Sequence, residues 1–439
     1  MFYIKNILII RTEMNKEILK EIIISNKEFI NSIPDIVERN IMKFDNNLKK
    51  VIILYGARRT GKSYILYNIL NKNFDRCLYV DFEDERLTDF KTEDFQILYE
   101  SFFELYIELI DEKEKVYFLF DEIQNVAGWE KFVRRISEKE FINVVITGSS
   151  SKLMPLEINT ALRGRALSIP VYPLSFNEYL KIKKSEAFNK KIYGKNKILI
   201  KNHFEKYLKY GAFPEIAVME NEYMIKKVLK EYMDAMYFKD LVEHFKISNI
   251  ALLDTLREIL FSSYGLKCSL TSIYNKYKNS ISFSKDTLYL YYKYFIESML
   301  IYEVPYLSES YIKRKNQPKK MYILDNGLNK KILSENYGRL LENLIFIQLL
   351  RLEYEVYFLS NGFECDFVFK TNNKWNVIQV CRNINDSNKS REYSGILKAC
   401  KFFKINEALI ITEEQEYDEG FEKIKIKVMP AYKWLLLNV

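Results

Sequence analysis

The stretch VIILYGARRTGKSYILYNIL (residues 51–70) decides the fold of this protein. A short apolar run typical of a buried strand leads directly into GARRTGKS, and a helical stretch follows. This is the GxxxxGK[ST] pattern in the strand–loop–helix context that a phosphate-binding loop requires. Glycine permits the backbone angles that turn successive N–H groups toward an anion, and the helix adds its positive N-terminal dipole. The residues predicted to hold nucleotide phosphates are Gly56, Ala57, Arg58, Arg59, Thr60, Gly61, Lys62 and Ser63.

Two of these residues have specific chemical roles. Lys62 is predicted to place its charge on the β- and γ-phosphates, and the Ser63 hydroxyl is predicted to bind Mg²⁺. A plain glycine turn between a strand and a helix would not need lysine and serine together. The sequence therefore predicts ATP and Mg²⁺ as cofactors.

A second strand-like run, VYFLFDEIQ (116–124), ends in two adjacent carboxylates. Ligands of open α/β sheets bind beyond the carboxyl ends of the strands. Asp121 is predicted to hold the water shell of Mg²⁺, and Glu122 is predicted to polarise the attacking water. A solvated turn is the alternative, and the phosphate loop makes the functional interpretation preferable.

Two polar segments follow further along the chain. NVVITGSSSKLM (143–154) ends a strand in serines, of which Ser149 or Ser150 is predicted to sense the γ-phosphate. Arg163 and Arg165 flank a glycine and suit bidentate contact with phosphate oxygens, within the chain or as fingers toward a neighbour's nucleotide. A surface turn paired with carboxylates would give the same pattern.

At 439 residues the chain is too long for one compact core, so two to four domains are expected. Between residues 51 and 172, five strand-like runs alternate with helical stretches. This alternation predicts an α/β fold whose parallel sheet is covered by helices on both faces. Residues 16–50 and 175–246 have helical periodicity, residues 250–305 predict three helices and a strand, and residues 320–439 alternate strand and helix again.

Composition excludes several classes of function. No run of 18 apolar residues occurs, so no membrane span is predicted, and a cytoplasmic protein starting at Met1 or Met14 is expected. The two histidines, His203 and His244, lie far apart in sequence, so neither a zinc site nor a catalytic His–Cys or His–Ser pair is predicted. The cysteines have no CxxC spacing and are predicted to be reduced thiols: Cys77, Cys268, Cys365, Cys381 and Cys400.

Positive charge is concentrated in two segments. The formal net charge is +8, and residues 181–209 hold ten lysines against Glu186 and Glu205. Such patches can neutralise phosphates and attract DNA, but a solvated, lysine-rich face gives the same pattern and is the preferred interpretation. The second cluster comprises Lys313, Arg314, Lys315, Lys319 and Lys320.

A series of motifs follows in order along the chain: GARRTGKS (56–63), FLFDEIQNVAGWEKFVRRI (118–136), VVITGSSSKLM (144–154), ALRGR (161–165) and PLSFNEYL (173–180). This series resembles the AAA-type P-loop ATPases of archaea and bacteria that carry a C-terminal domain of unknown function. Five later segments resemble the rest of that family: YGAFPE (210–215), SKDTLYLYYKYFIESMLIYEV (284–304), QPKKMYILDNGL (317–328), YGRLLENLIFIQLL (337–350) and NGFECDFVFK (361–370).

The resemblance implies an N-terminal helical segment and four modules. They are an ATPase core with a parallel five-stranded sheet, a helical lid, a winged-helix-like module and a small α/β module similar to a restriction-nuclease core. The corresponding ranges are 1–50, 51–174, 175–247, 248–316 and 317–439. It also implies the nucleotide, magnesium and water-activating roles already given to Lys62, Ser63, Asp121 and Glu122.

The nuclease-like module departs from the pattern that the resemblance implies. A nuclease of that core binds a divalent metal through an acidic residue and a following (Asp/Glu)-x-Lys. Glu342 and Asp366 stand where acidic residues belong, but Gln379 replaces the next carboxylate and Cys381 replaces the lysine. An amide binds hard cations poorly and a thiol carries no fixed positive charge, so the module is predicted to be inactive.

The winged-helix-like module is not predicted to read DNA. In its candidate recognition helix, SKDTLYLYYKYFIESM (284–299), Lys285 and Lys293 are balanced by Asp286 and Glu297. DNA readers direct basic or amide side chains at bases and phosphates. The tyrosines of this helix are therefore predicted to be packing residues: Tyr289, Tyr291, Tyr292 and Tyr294.

The sequence thus predicts an Mg²⁺-dependent ATPase whose nucleotide state moves the lid and the C-terminal modules. One alternative is a nucleotide-gated switch with little turnover, whose output is contact with a protein partner. Another is an ATP-driven DNA-processing nuclease, against which Gln379 and Cys381 argue. An arginine finger acting between subunits would require a homo-oligomer.

Overall fold

The structure is a computed structural model that describes most of the chain. The described residues are 14–40, 50–110, 115–139, 141–149, 158, 160–185, 191–310, 312, 314, 317–329, 337–360 and 362–438. Within these ranges no helix is long and apolar enough to cross a membrane. All five cysteines are free thiols.

A five-stranded, all-parallel sheet forms the first half of the molecule, as the sequence predicts. The strand order is β2-β3-β4-β1-β5, with β1 (Val51–Gly56), β2 (Cys77–Asp81), β3 (Val116–Asp121), β4 (Ile142–Ser149) and β5 (Ala166–Pro170). Its strands are rich in buried Val, Ile, Leu and Phe because helices cover both faces. Those helices are α1 (Lys16–Ser32), α2 (Lys62–Lys72), α3 (Asp94–Leu105) and α4 (Trp129–Ile136).

Each face of this sheet has its own apolar cluster. One cluster joins α1, α3 and α4 to alternate strand residues such as Ile53 and Phe118. The other joins α2 to the residues between them, such as Leu54 and Leu119. Successive side chains of a strand point to opposite faces of the sheet, which explains the alternation. Both faces of this sheet are therefore buried under helices.

The predicted N-terminal helix is shorter than its periodicity indicates. Helix α1 ends at Ser32, and Ile33 is extended with φ −75° and ψ 115°. Proline at position 34 disfavours helical angles in the residue before it, which ends the helix here. The helical prediction is therefore wrong for residues 33–40, and residues 41–49 lie outside the described part of the chain.

A group of helices follows the parallel sheet. Ser175 and Glu178 form a reciprocal capping box that starts the first of them. The last α-helix continues directly into a π-helix (Met236–Glu243), a rare form that is frequent at functional sites. The α-helices of this group, the predicted lid, are α5 (Phe176–Ile182), α6 (Gly194–Tyr210), α7 (Pro214–Val218) and α8 (Glu222–Ala235).

The next part contains three helices and a small antiparallel sheet of order β6-β8-β7. Tyr291 and Tyr292 are buried, and the ring of Tyr294 stacks on Phe245 at 3.8 Å, but Tyr289 is 44% exposed and is not a packing residue as predicted. The winged-helix assignment stays a prediction. The elements are α9 (Ile250–Ser262), β6 (Lys267–Cys268), α10 (Leu270–Tyr277), α11 (Lys285–Glu297), β7 (Ile301–Val304) and β8 (Lys319–Ile323).

The C-terminal part is built on a six-stranded mixed sheet of order β13-β14-β12-β11-β10-β9. One apolar core runs without interruption from the lid through the small sheet into this part. Its elements are α12 (Tyr337–Arg351), β9 (Tyr357–Ser360), β10 (Glu364–Thr371), β11 (Lys374–Val380), α13 (Lys389–Phe403), β12 (Glu407–Thr412), β13 (Tyr417–Phe421), β14 (Ile424–Pro430) and α14 (Ala431–Leu437).

The first basic segment is balanced by acidic side chains. Lys183 and Lys206 both pair with Glu220, at 2.5 and 2.9 Å, and Lys201 pairs with Glu414 at 2.6 Å. These contacts support the interpretation as an ion-paired, lysine-rich face. Nucleic-acid contact through it stays a prediction.

The second basic cluster is not a surface patch as its sequence suggests. Lys319 pairs with Glu303 at 2.6 Å, and the Lys320 side chain is only 3% exposed. Lys313 and Lys315 lie outside the described residues. A buried lysine cannot contribute to a surface that attracts DNA, so the prediction is wrong for Lys320.

Candidate functional site

The phosphate loop joins β1 to α2 at the carboxyl edge of the parallel sheet. A Cβ atom at Gly56 would lie 2.4 Å from the carbonyl oxygen of Val171, so only glycine fits there. Gly61 has φ +92° and directly precedes the first turn of α2. Both glycines of the sequence motif are therefore required by the backbone geometry.

The ammonium group of Lys62 lies inside this loop. It donates to the carbonyl oxygens of Gly56 and Ala57 at 3.1 and 3.0 Å, and Thr60 closes the turn by donating to Ala57 at 3.0 Å. Lys62 is 6% exposed, and burial lowers its pKa. The geometry therefore places a cation inside the loop that is predicted to hold nucleotide phosphates.

Asp121 and Ser63, the two predicted magnesium ligands, lie close together. The Asp121 carboxylate accepts hydrogen bonds from Thr147 and, at 3.0 Å, from the Tyr79 hydroxyl. Burial raises the pKa of Asp121, while the hydroxyl groups of Thr147, Ser63 and Tyr79 oppose that shift. A hydroxyl and a carboxylate are the hard oxygen donors that Mg²⁺ prefers, so the residues fit this ion.

Glu122 has a left-handed backbone, with φ +48°. Its N–H donates to the Thr147 hydroxyl at 3.2 Å, and its carboxylate accepts from the Gln124 amide. An unusual backbone angle in a non-glycine residue is typical of functional sites. This backbone conformation ends β3 after Asp121, at the edge of the sheet where the phosphate loop lies.

Ser149 lies beside the phosphate loop at the end of β4. It pairs with Gly56 in the sheet register, is 1% exposed, and its hydroxyl has no hydrogen-bond partner among the described residues. The alternative candidate, Ser150, lies outside the described residues. The sensor role of Ser149 stays a prediction.

Arg163 and Arg165 lie at the opposite edge of the sheet. The N–H of Val51, at the start of β1, donates to the carbonyl oxygen of Arg165 at 2.8 Å, and the Arg165 side chain pairs with Glu138. The length of β1, about 17 Å at 3.3 Å per residue, separates them from Gly56. They do not reach the phosphate loop of their own chain, so phosphate contact stays a prediction for a neighbouring chain only.

The arginines of the phosphate loop face the lid. Arg58 donates to Asp240, in the π-helix, at 2.9 Å, and Arg59 lies 3.8 Å from Glu215. Burial raises the pKa of Asp240, and Arg58 opposes this shift. Two ion pairs thus connect the loop to the lid. The contact of Arg58 and Arg59 with phosphate stays a prediction.

A further arginine that the sequence reasoning missed supports the loop from the other side. Arg39 donates to the Thr60 carbonyl oxygen at 2.7 Å, to the Tyr172 carbonyl oxygen at 2.8 Å and to Glu178 at 2.8 Å. Its side chain is 8% exposed. It therefore fixes the phosphate loop to both the end of the sheet and the start of the lid.

The remaining missed residues surround the carboxylates. They are Tyr79 and Thr147, which bind Asp121, and Asp81, which pairs with Asp121 in the sheet register. Burial raises the pKa of Asp81 to about 7. The available signal was their position at or near the carboxyl ends of β2 and β4, where ligands of such sheets bind.

The sheet order, the glycine-bounded loop and the Asp-Glu pair together define an AAA-like P-loop fold. Residues 48–180 match the family model of the AAA domain, and residues 201–337 match that of a domain of unknown function (DUF8612). The uncharacterized protein MJ1544 of Methanocaldococcus jannaschii is 38% identical over 450 residues, covering 98% of each chain. The chain belongs to the family of MJ1544, an AAA-like P-loop ATPase family with a C-terminal domain of unknown function.

Other similar proteins are more distant. An uncharacterized protein of Haemophilus influenzae is 28% identical and covers 88% of this chain and 94% of its own. Among solved structures, the Walker-type ATPase PABY2304 of Pyrococcus abyssi has a TM-score of 0.42 and 15% identity, covering 74% of this chain and 98% of its own. The fold assignment rests on the sheet topology and the family relationship.

Proposed function

We propose that the protein binds ATP together with Mg²⁺ and hydrolyses it to ADP and phosphate. The observation that carries this proposal is the buried ammonium of Lys62, which lies inside the glycine-bounded loop with Ser63 and Asp121 close by. Lys62 would bind the β- and γ-phosphates, and Ser63 and Asp121 would hold the metal and its water shell. Bound Mg²⁺ would neutralise charge that develops on the phosphates.

Glu122 is the proposed base. Its carboxylate lies one residue beyond Asp121 and is oriented by the left-handed backbone and by Gln124. It would accept a proton from the water that attacks the γ-phosphate. Asp121, buried and hydrogen-bonded on both oxygens, is less suited to that role.

The lid contacts support a conformational output. Asp240 places a carboxylate on Arg58, a residue of the loop that would receive the phosphates. Phosphate oxygens and Asp240 would compete for the same guanidinium, so nucleotide binding would release the lid. The same contact would serve a nucleotide-gated switch with little turnover, which is the second candidate function.

The test is steady-state phosphate release from ATP and Mg²⁺ by the purified protein, with and without duplex DNA, beside direct ATP binding. Turnover supports the ATPase, and stimulation by DNA would give the basic segment a function. Tight ATP binding without phosphate release under either condition would select the switch. Metal-dependent cleavage of plasmid DNA would instead favour the ATP-driven nuclease.

Thr147→Val is expected to lower the rate of phosphate release at least tenfold, with a smaller effect on ATP affinity. Valine keeps the shape of threonine but removes the hydroxyl that binds both Asp121 and the Glu122 N–H. Losing a hydrogen bond to a charged group costs about 1.5–3 kcal/mol. Thr160→Val, on an exposed residue far from the loop, is the matched control; equal kinetics in the two variants would contradict the role of Thr147.

Asp240→Asn is expected to tighten ATP binding about tenfold, which corresponds to about 1.4 kcal/mol. Asparagine keeps a similar shape but removes the negative charge that competes with phosphate for Arg58. Isothermal titration with a slowly hydrolysed ATP analogue measures the affinity. Glu231→Gln, an exposed change on α8, should leave it unchanged. Weaker binding by Asp240→Asn would show that Asp240 assists the nucleotide instead.

A further inference from the structure

The buried lysine of β8 lies among three carboxylates. The Lys320 ammonium is 2.7 Å from Asp366 Oδ1, 3.1 Å from Glu342 Oε1 and 3.2 Å from Glu364 Oε1. Glu342 belongs to α12, whereas Glu364 and Asp366 belong to β10. One ammonium group, which has three donors, is therefore the shared partner of carboxylates from two separate elements.

The protein also supplies the other polar contacts of the two most buried carboxylates. The Tyr322 hydroxyl donates to Glu342 Oε1 at 2.6 Å, and the Val380 N–H donates to Asp366 Oδ2 at 2.9 Å. Glu342 and Asp366 are 8% and 5% exposed. Their charge is therefore compensated from within the chain, with little access for solvent.

Gln379, which stands in place of a carboxylate, is fully engaged as well. Its amide oxygen accepts from the Asp366 N–H at 3.2 Å, and its amide nitrogen donates to Glu392 Oε2 at 2.8 Å. Cys381 is buried, and burial raises the pKa of its thiol. Neither residue is free to complete a metal coordination sphere.

The ammonium keeps its charge in this position. Burial alone would lower the pKa of Lys320, but the carboxylates of Asp366 and Glu342 outweigh it and raise that pKa well above its ordinary value. Burial and the neighbouring Asp366 raise the pKa of Glu342, and Lys320 and the Tyr322 hydroxyl oppose that shift. The three carboxylates around Lys320 therefore supply the negative charge that keeps it protonated.

We propose that the Lys320 ammonium is a built-in replacement for a divalent metal ion between Glu342 and Asp366. Mg²⁺ or Mn²⁺ would need carboxylate oxygens at about 2.0–2.2 Å, and one oxygen of each residue, Glu342 Oε1 and Asp366 Oδ1, already binds the ammonium. A second cation placed beside a buried ammonium would be repelled. This part of the chain therefore binds no divalent metal, independently of ATP hydrolysis at the phosphate loop.

The replacement also has a structural role. Lys320 lies on the middle strand of the three-stranded sheet, and Asp366 lies in the six-stranded sheet. A metal ion could dissociate and leave two carboxylates to repel each other, whereas a lysine side chain cannot. The ammonium therefore links the two sheets through an ion pair whose cation cannot leave the protein.

The test is Mn²⁺ binding by the full-length protein, counted by electron paramagnetic resonance. Lys320→Ala is expected to bind one more Mn²⁺ ion than the wild type, and Glu342→Gln in the same chain should remove that ion. Lys319→Ala is the matched control, since this neighbouring lysine pairs with Glu303 and is 32% exposed. A Mn²⁺ ion at Ser63 and Asp121 would contribute equally to every variant.

Two results would overturn the proposal. One is a folded Lys320→Ala variant that binds no more Mn²⁺ than the wild type. The other needs no lysine variant: the wild type and Glu342→Gln alone should bind equal amounts of Mn²⁺. An ion present in the wild type and lost in Glu342→Gln would show that the pocket binds metal despite Lys320.

Discussion

Glu122→Gln is expected to lower the rate of phosphate release by about 10²–10⁴-fold while ATP affinity stays within a few fold of the wild type. Glutamine preserves size and can still hydrogen-bond Gln124, but it cannot accept the proton of the attacking water. The phosphate loop and the Ser63–Asp121 pair are untouched. Binding and catalysis should therefore separate in this variant.

The measurement is single-turnover phosphate release beside ATP titration. Glu85→Gln is the matched control, because Glu85 is an exposed carboxylate in the segment that follows β2. Loss of ATP binding in Glu122→Gln would mean that the carboxylate supports the fold of the site. Unchanged turnover would assign the base to another group, of which Asp81 is the nearest candidate by register.

Arg39→Ala is expected to destabilise the ATPase module by about 3–5 kcal/mol, because it leaves the buried Glu178 carboxylate without its ion-pair partner. The Arg39–Glu178 distance is 2.8 Å, and the two side chains are 8% and 3% exposed. ATP affinity should fall as well, since Arg39 also holds the Thr60 carbonyl oxygen of the phosphate loop. Urea unfolding and ATP titration measure the two effects.

The pH dependence of stability gives a sharper readout. Burial would raise the pKa of Glu178, but Arg39 and the Ser175 backbone lower it. In the wild type this group therefore stabilises the fold above its unfolded pKa of about 4.3, and the contribution is lost as pH falls below that value. In Arg39→Ala the folded pKa is expected above the unfolded one, so stability should fall as pH rises toward neutrality.

Arg86→Ala is the control for this pair. Arg86 makes an ion pair with Asp84 at 2.7 Å, but its side chain is 36% exposed, and surface pairs contribute at most about 1 kcal/mol. The same pH slope in wild type and Arg39→Ala would refute the assignment of Glu178. Restored stability in Arg39→Lys without restored ATP affinity would separate the charge of Arg39 from its hydrogen bonds to the carbonyl oxygens of Thr60 and Tyr172.

The parallel sheet and the core of the candidate site could be predicted because their signals are local. Gly56, Gly61, Lys62 and Ser63 lie within eight residues, and the carboxylates follow a strand that is visible in the sequence. The carboxyl ends of parallel strands lie at one edge of the sheet, so these segments are expected to meet there. This is why Ser63 and Asp121 lie close together in the structure, as their sequence positions predict.

The contacts that hold the site in place could not be predicted in this way. Arg39 and Glu178 are 139 residues apart, and Arg58 and Asp240 are 182 residues apart. Lys320 stands in a run of basic residues and looks like a surface lysine, yet its partner Asp366 lies 46 residues further along. A local charge pattern cannot predict these partners, because they are distant in sequence and only the tertiary fold brings them together.

The continuous apolar core of the C-terminal half has a mechanical consequence. The parallel sheet keeps two clusters of its own. The lid and the small sheet share one cluster with one face of the six-stranded sheet, and the other face of that sheet has a fourth. Close-packed interiors transmit displacement rather than absorbing it. If nucleotide binding separates Asp240 from Arg58, the lid, the small sheet and the face of the six-stranded sheet that shares their core are therefore expected to move together as one body.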